Sequence, residues 1–108
     1  LEVNIAGEAS KAGFSPQVLM QELGLLGDLP HLQIQGLMTI PPPMEQPEAA
    51  RPFFRDLREL GARIAAKGMS SLVMQEYSMG MSHDFEVAIE EGATLVRVGT
   101  AIFGARNV

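Results

Sequence analysis

The sequence predicts an α/β fold of parallel strands with outer helices. Three observations carry this reading. Short apolar, β-branched runs alternate four times with helical stretches, and such alternation calls for a parallel sheet with the helices outside it. Two of the predicted strands end in glycine-containing stretches, Ser78-Met79-Gly80-Met81-Ser82 and Gly99-Thr100-Ala101, close to predicted helix starts. No segment repeats another, so the four units are not copies of one motif. Four parallel strands are half the complement of an eight-stranded (β/α)8 TIM-type barrel. The expected architecture is therefore such a half barrel, formed by residues 1–108 as a single domain.

The elements follow in order. Residues 1–6 are short, apolar and β-branched, the composition of a strand. Residues 7–14 read as a loop. Ser15-Pro16 is a helix start, with serine as N-cap and proline in the first turn. Val18, Leu19, Leu23 and Leu26 then fall on one stripe, and Gly27 marks the end. Residues 32–40 form the second strand, stopped by Pro41-Pro42-Pro43, since proline cannot donate to a ladder. Residues 47–67 are the longest predicted helix. Its buried face is Phe53, Leu57, Leu60 and Ile64, and Gly68 is its C-terminal cap. Arg51, Arg55, Arg58 and Arg63 lie largely off that face and read as a solvated surface. Residues 71–77 form the third strand, ending at the first glycine turn. Ser82 and Asp84 suit a helix start, and Phe85, Ala88 and Ile89 give that helix its apolar side before Gly92. Residues 94–98 form the fourth strand, and a last short helix begins at residues 102–106.

Composition excludes several function classes. The net charge is −5, which argues against nucleic acid or an anionic membrane surface as the main partner. No apolar run approaches the roughly 20 residues of a membrane span. No signal peptide is visible, and there is no cysteine for a disulfide, a thiolate or a metal site, which is compatible with the cytoplasm. His31 and His83 stand alone, without ligand spacing, so no metal site is expected. No Ser-His-Asp order or paired-carboxylate motif points to catalysis. The chain opens on Leu1 in what reads as mid-strand, so either something upstream was removed or the sequence is a piece of a longer one.

The two glycine stretches suggest a phosphate cradle. Glycine lets backbone N–H groups approach a ligand with no Cβ in the way, and a following helix start adds free N–H groups and a positive dipole end. At the ends of adjacent parallel strands, two such turns can hold one dianion. Read by composition alone, each is equally an ordinary turn.

The words are more specific than the composition. Ser78-Met79-Gly80-Met81-Ser82, Asp84, Ala88-Ile89, Gly92, and the run from Val96-Arg97-Val98-Gly99-Thr100 through Ile102-Phe103-Gly104-Ala105-Arg106 resemble the C-terminal signature of the pyridoxal 5′-phosphate (PLP) homeostasis proteins. Upstream, Val3-Asn4-Ile5, Glu8, Lys11-Ala12-Gly13 and Gly36-Leu37-Met38-Thr39-Ile40-Pro41 extend the likeness over essentially the whole chain. That family has the barrel of the alanine racemase N-terminal domain, so the resemblance implies the last four strands of that barrel.

The resemblance implies site residues. Ser78, Gly80, Gly99 and Thr100 would hold the cofactor phosphate through hydroxyls and exposed amides. Met79 would pack against the ring, or is simply a core residue. Arg97, two residues before Gly99, shares its face of the strand, which should be the barrel interior. There it would face the pyridine nitrogen. A protonated arginine disfavours a protonated ring, which suits a carrier better than a carbanion-forming enzyme. The alternative for Arg97 is a salt bridge to Glu2, Glu76 or Asp84. Asn4 would line the same mouth.

The family's Schiff-base lysine lies on the first barrel strand, which this sequence lacks. The only lysines are Lys11 and Lys67, and Lys11 matches a loop position, where an ion pair with Glu8 is the simpler role. PLP binding is then expected to be non-covalent, and phosphate or sulfate is expected in the cup more firmly than the cofactor. An uncovered half barrel has bare edges and a bare inner face, so a compact monomer is not expected. A homodimer of two half barrels, a chain supplying the missing N-terminal half, a trimmed longer parent or a different sheet would each resolve this. Three functions compete: a non-catalytic PLP carrier in PLP homeostasis, a racemase-like enzyme whose lysine lies in the absent half, and a generic phosphate-binding half barrel.

Overall fold

The structure, a computed structural model, describes residues 1–9 and 12–105. Its centre is a three-stranded parallel sheet ordered as in the sequence: β1 (Ile34–Met38), β2 (Leu72–Met81) and β3 (Leu95–Arg97). Four helices accompany it: α1 (Pro16–Gly27), α2 (Arg51–Ala65), α3 (Phe85–Glu90) and α4 (Thr100–Phe103), with a 3₁₀ turn, Pro47–Ala50, leading into α2. This is an open α/β layer with no closed barrel.

The first predicted strand is reduced to a short edge. Val3 N–H donates to Met38 O and Met38 N–H to Leu1 O, both at 2.7 Å, so residues 1–3 run beside β1 as isolated parallel bridges. Beyond Val3 the chain turns. On the side away from β1, Asn4 N–H donates to Phe14 O at 2.8 Å and Phe14 N–H to Glu2 O at 3.0 Å. That side of the segment is already taken.

Side-chain alternation separates the two sheet faces. Leu37, Tyr77 and Met79 point to the helices and are almost fully buried. Gly36, Met38, Glu76 and Ser78 are partners across β1 and β2 on the other face, and Leu95 and Arg97 share that face on β3. Leu95 is 53% exposed there. Among the described residues nothing covers this face, which is what half of a barrel leaves open.

The helical layer keeps most of the expected buried residues and differs at single positions. The buried stripe of α2 is Phe54, Leu57, Leu60, Gly61 and Ile64, with Phe54 in the place expected for Phe53. Leu57, Leu60 and Ile64 are buried as expected; Phe53 and Phe54 stand four and three residues before Leu57, both spacings fit one helical face, and packing selects Phe54. Burying these side chains stabilises the layer by about 1.5–3 kcal/mol each. On α1, Ser15 Oγ caps Val18 N–H, and Leu19 and Leu23 are buried, but Val18 is exposed. On α3, Val87 and Ala88 are buried while Ile89 faces out. The last helix begins earlier than expected, at Thr100 with Gly99 as its N-cap. It ends at Phe103, with Gly104 as its C-cap; Arg106 of the expected 102–106 stretch, and Lys11, lie outside the described residues.

The arginines of α2 lie on the solvated face expected, with Arg55, Arg58 and Arg63 exposed, and three of the four find partners there. Arg51 meets Glu48, Glu90 and Glu91, and Arg55 also reaches Glu91. Arg58 lies 4.7 Å from the Tyr77 ring centroid, a cation–π distance. The ion pairs tie α2 to α3, the helix that follows the first candidate loop.

Candidate functional site

The first loop forms later in the chain than the sequence suggests. Strand β2 runs straight through Ser78-Met79-Gly80 to Met81, so this stretch is not a turn. Gly80 sits at φ 102°, inside a bulge between the pairs Ser78–Leu95 and Met81–Arg97, where β2 carries one residue more than β3. A side chain at Gly80 would strain the backbone and run into Ala88 of α3. The turn itself is at residues 82–84. Asp84 closes it: its Oδ1 accepts from Met81 N–H at 2.8 Å, and its own N–H donates to Met81 O at 3.1 Å.

This shift decides which serine reaches the site. Ser82 Oγ accepts a hydrogen bond from Ala101 N–H at 2.9 Å. One hydroxyl thus joins the loop after β2 to the first turn of α4, and the two glycine-bearing loops stand at the same end of the sheet. The first-turn amides of a helix have no intrahelical acceptor, and Ser82 satisfies one of them. Ser78 stays in the middle of the sheet, its carbonyl accepting from Thr39 N–H at 3.1 Å.

Between these loops and the chain leaving β1 lies an open cleft of about 700 Å³. One wall is residues 39–44, including Pro41, Pro42 and Pro43; another is residues 80–84; Gly99 and Thr100 complete it. The volume falls in the range of small-molecule sites. Among the described residues Asp84 is the one carboxylate in the lining and His83 the one imidazole, and no lysine or arginine lines it. An anion bound here would be held by hydroxyls and amides. The proline run, predicted only as a strand stop, doubles as a stiff apolar wall.

The remaining predicted residues divide. Gly80, Gly99 and Thr100 line the cleft; Ser78, Met79, Arg97 and Asn4 do not. Met79 is fully buried in the core on the helix side. Asn4 is engaged at both ends, its Nδ2 donating to Glu8 O at 2.6 Å and its Oδ1 accepting from Glu8 N–H at 3.1 Å, so it closes its own loop. Arg97 stands exposed on the uncovered face and pairs with none of Glu2, Glu76 or Asp84. Glu76 Oε2 instead accepts from Thr94 Oγ1 at 2.7 Å. Thr39, Ser82, His83 and Asp84 are polar lining residues that sequence reasoning left without a ligand role; Ser82 was legible only as a helix cap. Among the described residues no three His, Asp or Glu side chains gather as a metal site, and no helix is long and apolar enough to cross a membrane.

The curated pyridoxal phosphate homeostasis proteins of Aquifex aeolicus and Pseudomonas aeruginosa are 50% and 46% identical to the chain over 107 residues. These alignments cover 99% of this chain but only 46% and 44% of those proteins, so the chain spans a little under half their length. Among solved structures, PipY of Synechococcus elongatus matches with a TM-score of 0.85 without PLP (38% identity, 96% of this chain, 48% of PipY). The PLP-bound form of PipY matches with a TM-score of 0.81 (36% identity, 96% of this chain, 47% of PipY). Residues 1–107 match the family described as "Alanine racemase, N-terminal domain", and the chain belongs to that family.

Proposed function

We propose that this chain is a non-catalytic PLP-binding component of PLP homeostasis, and that it holds the cofactor by its phosphate in the cleft between the β2–α3 loop and the start of α4. The observation that carries the reading is the 2.9 Å bond from Ala101 N–H to Ser82 Oγ, which sets two phosphate-type loops side by side. Relatives named for PLP homeostasis, and a structural neighbour with PLP bound, supply the cofactor.

The residues present fit the phosphate end. Ser82 and Thr100 offer hydroxyls, and the backbone at Gly99 and Thr100 offers first-turn amides. The wall of Pro41, Pro42 and Pro43 gives an apolar flank that shields one side from water. When bound, PLP supplies a reactive aldehyde and an electron-accepting ring. This chain's own part is to bind and orient. Arg97, on the open sheet face, would set the ring's protonation from that side, as an always-cationic group disfavours a second positive charge nearby. On this reading binding is non-covalent and reversible, in keeping with Lys67, the one lysine among the described residues, lying outside the cleft.

Equilibrium dialysis with PLP, with inorganic phosphate as competitor, tests this. Saturable PLP binding, displaced by millimolar phosphate and weakened by Thr100→Val, is the expected result. Phosphate binding with no PLP binding would leave only a generic phosphate site. Racemisation of an amino acid by the chain would replace the carrier reading with an enzymatic one.

A further inference from the structure

We infer that Arg51 is a positioning residue for the cleft: its bonds to Glu90 and Glu91 clasp two of the cleft's walls from behind and set the distance between them. The walls, residues 39–44 and 80–84, leave the neighbouring strands β1 and β2. At the sheet they are joined, since Thr39 N–H donates to Ser78 O at 3.1 Å. Past that bond, among the described residues, no hydrogen bond runs from residues 40–46 to residues 80–84. Each wall then enters a short helical element. The first leads into the 3₁₀ turn Pro47–Ala50 and Arg51, the second into α3 and its cap, Glu91. There the two meet again. Pro47 borders residues 82–87, and Arg51 reaches across, with Nη1 donating to Glu91 Oε2 at 2.7 Å and Nη2 donating to Glu90 Oε1. The pair of walls is thus held at two places, by Thr39 and Ser78 at the sheet and by Arg51 at the far end, and the cleft opens between them.

The chemistry suits a clasp. Arg51 Nε and Nη2 donate to the two oxygens of the Glu48 carboxylate, both at 2.8 Å, a bidentate grip within its own wall that fixes the plane of the guanidinium. With that plane fixed, Nη1 and Nη2 are presented to α3. The Arg51 and Glu91 side chains are only 22% and 17% exposed, so salt and water screen this pair less than a free surface pair. Glu90 and Glu91 stand at the C-terminal end of α3, where the helix dipole disfavours carboxylates, and the guanidinium opposite them offsets that cost. Walls fixed before a ligand arrives spare it the free energy of ordering them, so the clasp raises affinity without touching the ligand. The wall spacing does not depend on what the cleft binds; the effect on PLP rests on the proposed function.

The chain has no cysteine, so nitroxide labels at Glu45→Cys and Glu86→Cys, exposed sites beside the two walls and outside the cleft lining, report the spacing by electron paramagnetic resonance. Equilibrium dialysis of the same variants without labels or added cysteines measures PLP affinity. In Glu90→Ala with Glu91→Ala, the label-to-label distribution is expected to broaden and lengthen, and the Kd for PLP to rise roughly three- to tenfold. Arg51 keeps Glu48 as a partner in that variant, so no cation is left unpaired. Arg51→Met is expected to give the same two changes. Gly61→Ala, which strains the packing between α2 and β2 and costs stability away from the cleft, is expected to keep the native distribution and Kd. An unchanged distribution when the clasp is cut, a wider one with unchanged Kd, or an equal change in Gly61→Ala would each overturn the inference. Failure of the unaltered chain to bind PLP would overturn the proposed function instead, and the label distances by themselves would then support or overturn the clasp.

Discussion

Replacing Ser82 and Ser78 one at a time separates the structural reading of the site from the reading by motif. Ser82→Ala removes the hydroxyl that accepts from Ala101 N–H and with it the tie between the two loops. It also removes a donor to a bound phosphate. A hydrogen bond to a charged group contributes about 1.5–3 kcal/mol, which converts to roughly 10- to 150-fold in Kd. The bond lies at an exposed position, which places the expected loss near the low end, about tenfold. Ser78 sits within β2 between Met38 and Leu95 and does not line the cleft, so Ser78→Ala is expected to change PLP affinity by less than about twofold. Equilibrium dialysis against PLP at fixed ionic strength measures both, with circular dichroism confirming that each variant is folded. Ser82→Thr, which keeps a hydroxyl, should recover most of the loss. A tenfold loss in Ser78→Ala with Ser82→Ala unchanged would refute the assignment and restore the motif-based one.

Three further perturbations probe the scaffold. A Cβ at Gly61 of α2 would overlap the buried Tyr77 ring, which Arg58 of the same helix also contacts. Overpacking of about 1–3 kcal/mol outweighs the roughly 1 kcal/mol of helix propensity gained. Gly61→Ala is therefore expected to lower the urea midpoint by the equivalent of about 1 kcal/mol, and a raised midpoint would contradict the packing described. Hydrogen bonds to Arg51 hold the Glu48 and Glu91 carboxyls below the ordinary value of 4.5. Because their folded values lie below the unfolded ones, the stabilisation is present above about pH 4.5 and is lost as pH falls through the folded values. Arg51→Met should lower the melting temperature at pH 7 and flatten its fall in acid; an unchanged acid limb would show that the cluster does not couple to folding. Asn4→Ala removes two bonds to the Glu8 backbone and should cost about 1–2 kcal/mol in urea unfolding without altering PLP affinity, whereas a selective affinity loss would return Asn4 to the site.

Much of the fold was legible because its signals are local. Ser15-Pro16 starts α1 as read, the proline run stops β1, and the alternation of strand and helix gives a parallel sheet. What the sequence concealed depends on packing and pairing. Phe53 and Phe54 stand four and three residues before Leu57, so either fits the buried stripe of α2, and only packing against the sheet puts Phe54 in the core. The same holds at the site. Gly80 reads equally as the pivot of a turn or as a bulge in a continuing strand, and only pairing with β3 decides between them. Choosing the turn puts Ser78 at the rim; the bulge carries the rim four residues on, to Ser82. The ion pairs of Arg51 with Glu90 and Glu91 were hidden for a related reason, since they join residues about forty positions apart.

The cleft and the bare sheet face bear on each other. Its wall at Gly99 and Thr100 belongs to α4, a helix with no buried residue, anchored to the rest of the site through Ser82. A wall tied to the site, among the described residues, through one exposed side-chain hydrogen bond samples other positions at little cost, and part of any binding free energy then goes into ordering it. Covering Ile102 and Phe103 would fix α4 and remove that cost, so PLP affinity should rise when the β3 edge is covered, without any new contact to the cofactor. An affinity for PLP identical in the free and the edge-covered chain would mean that α4 is already rigid, and that the Ser82–Ala101 bond suffices to form the cup.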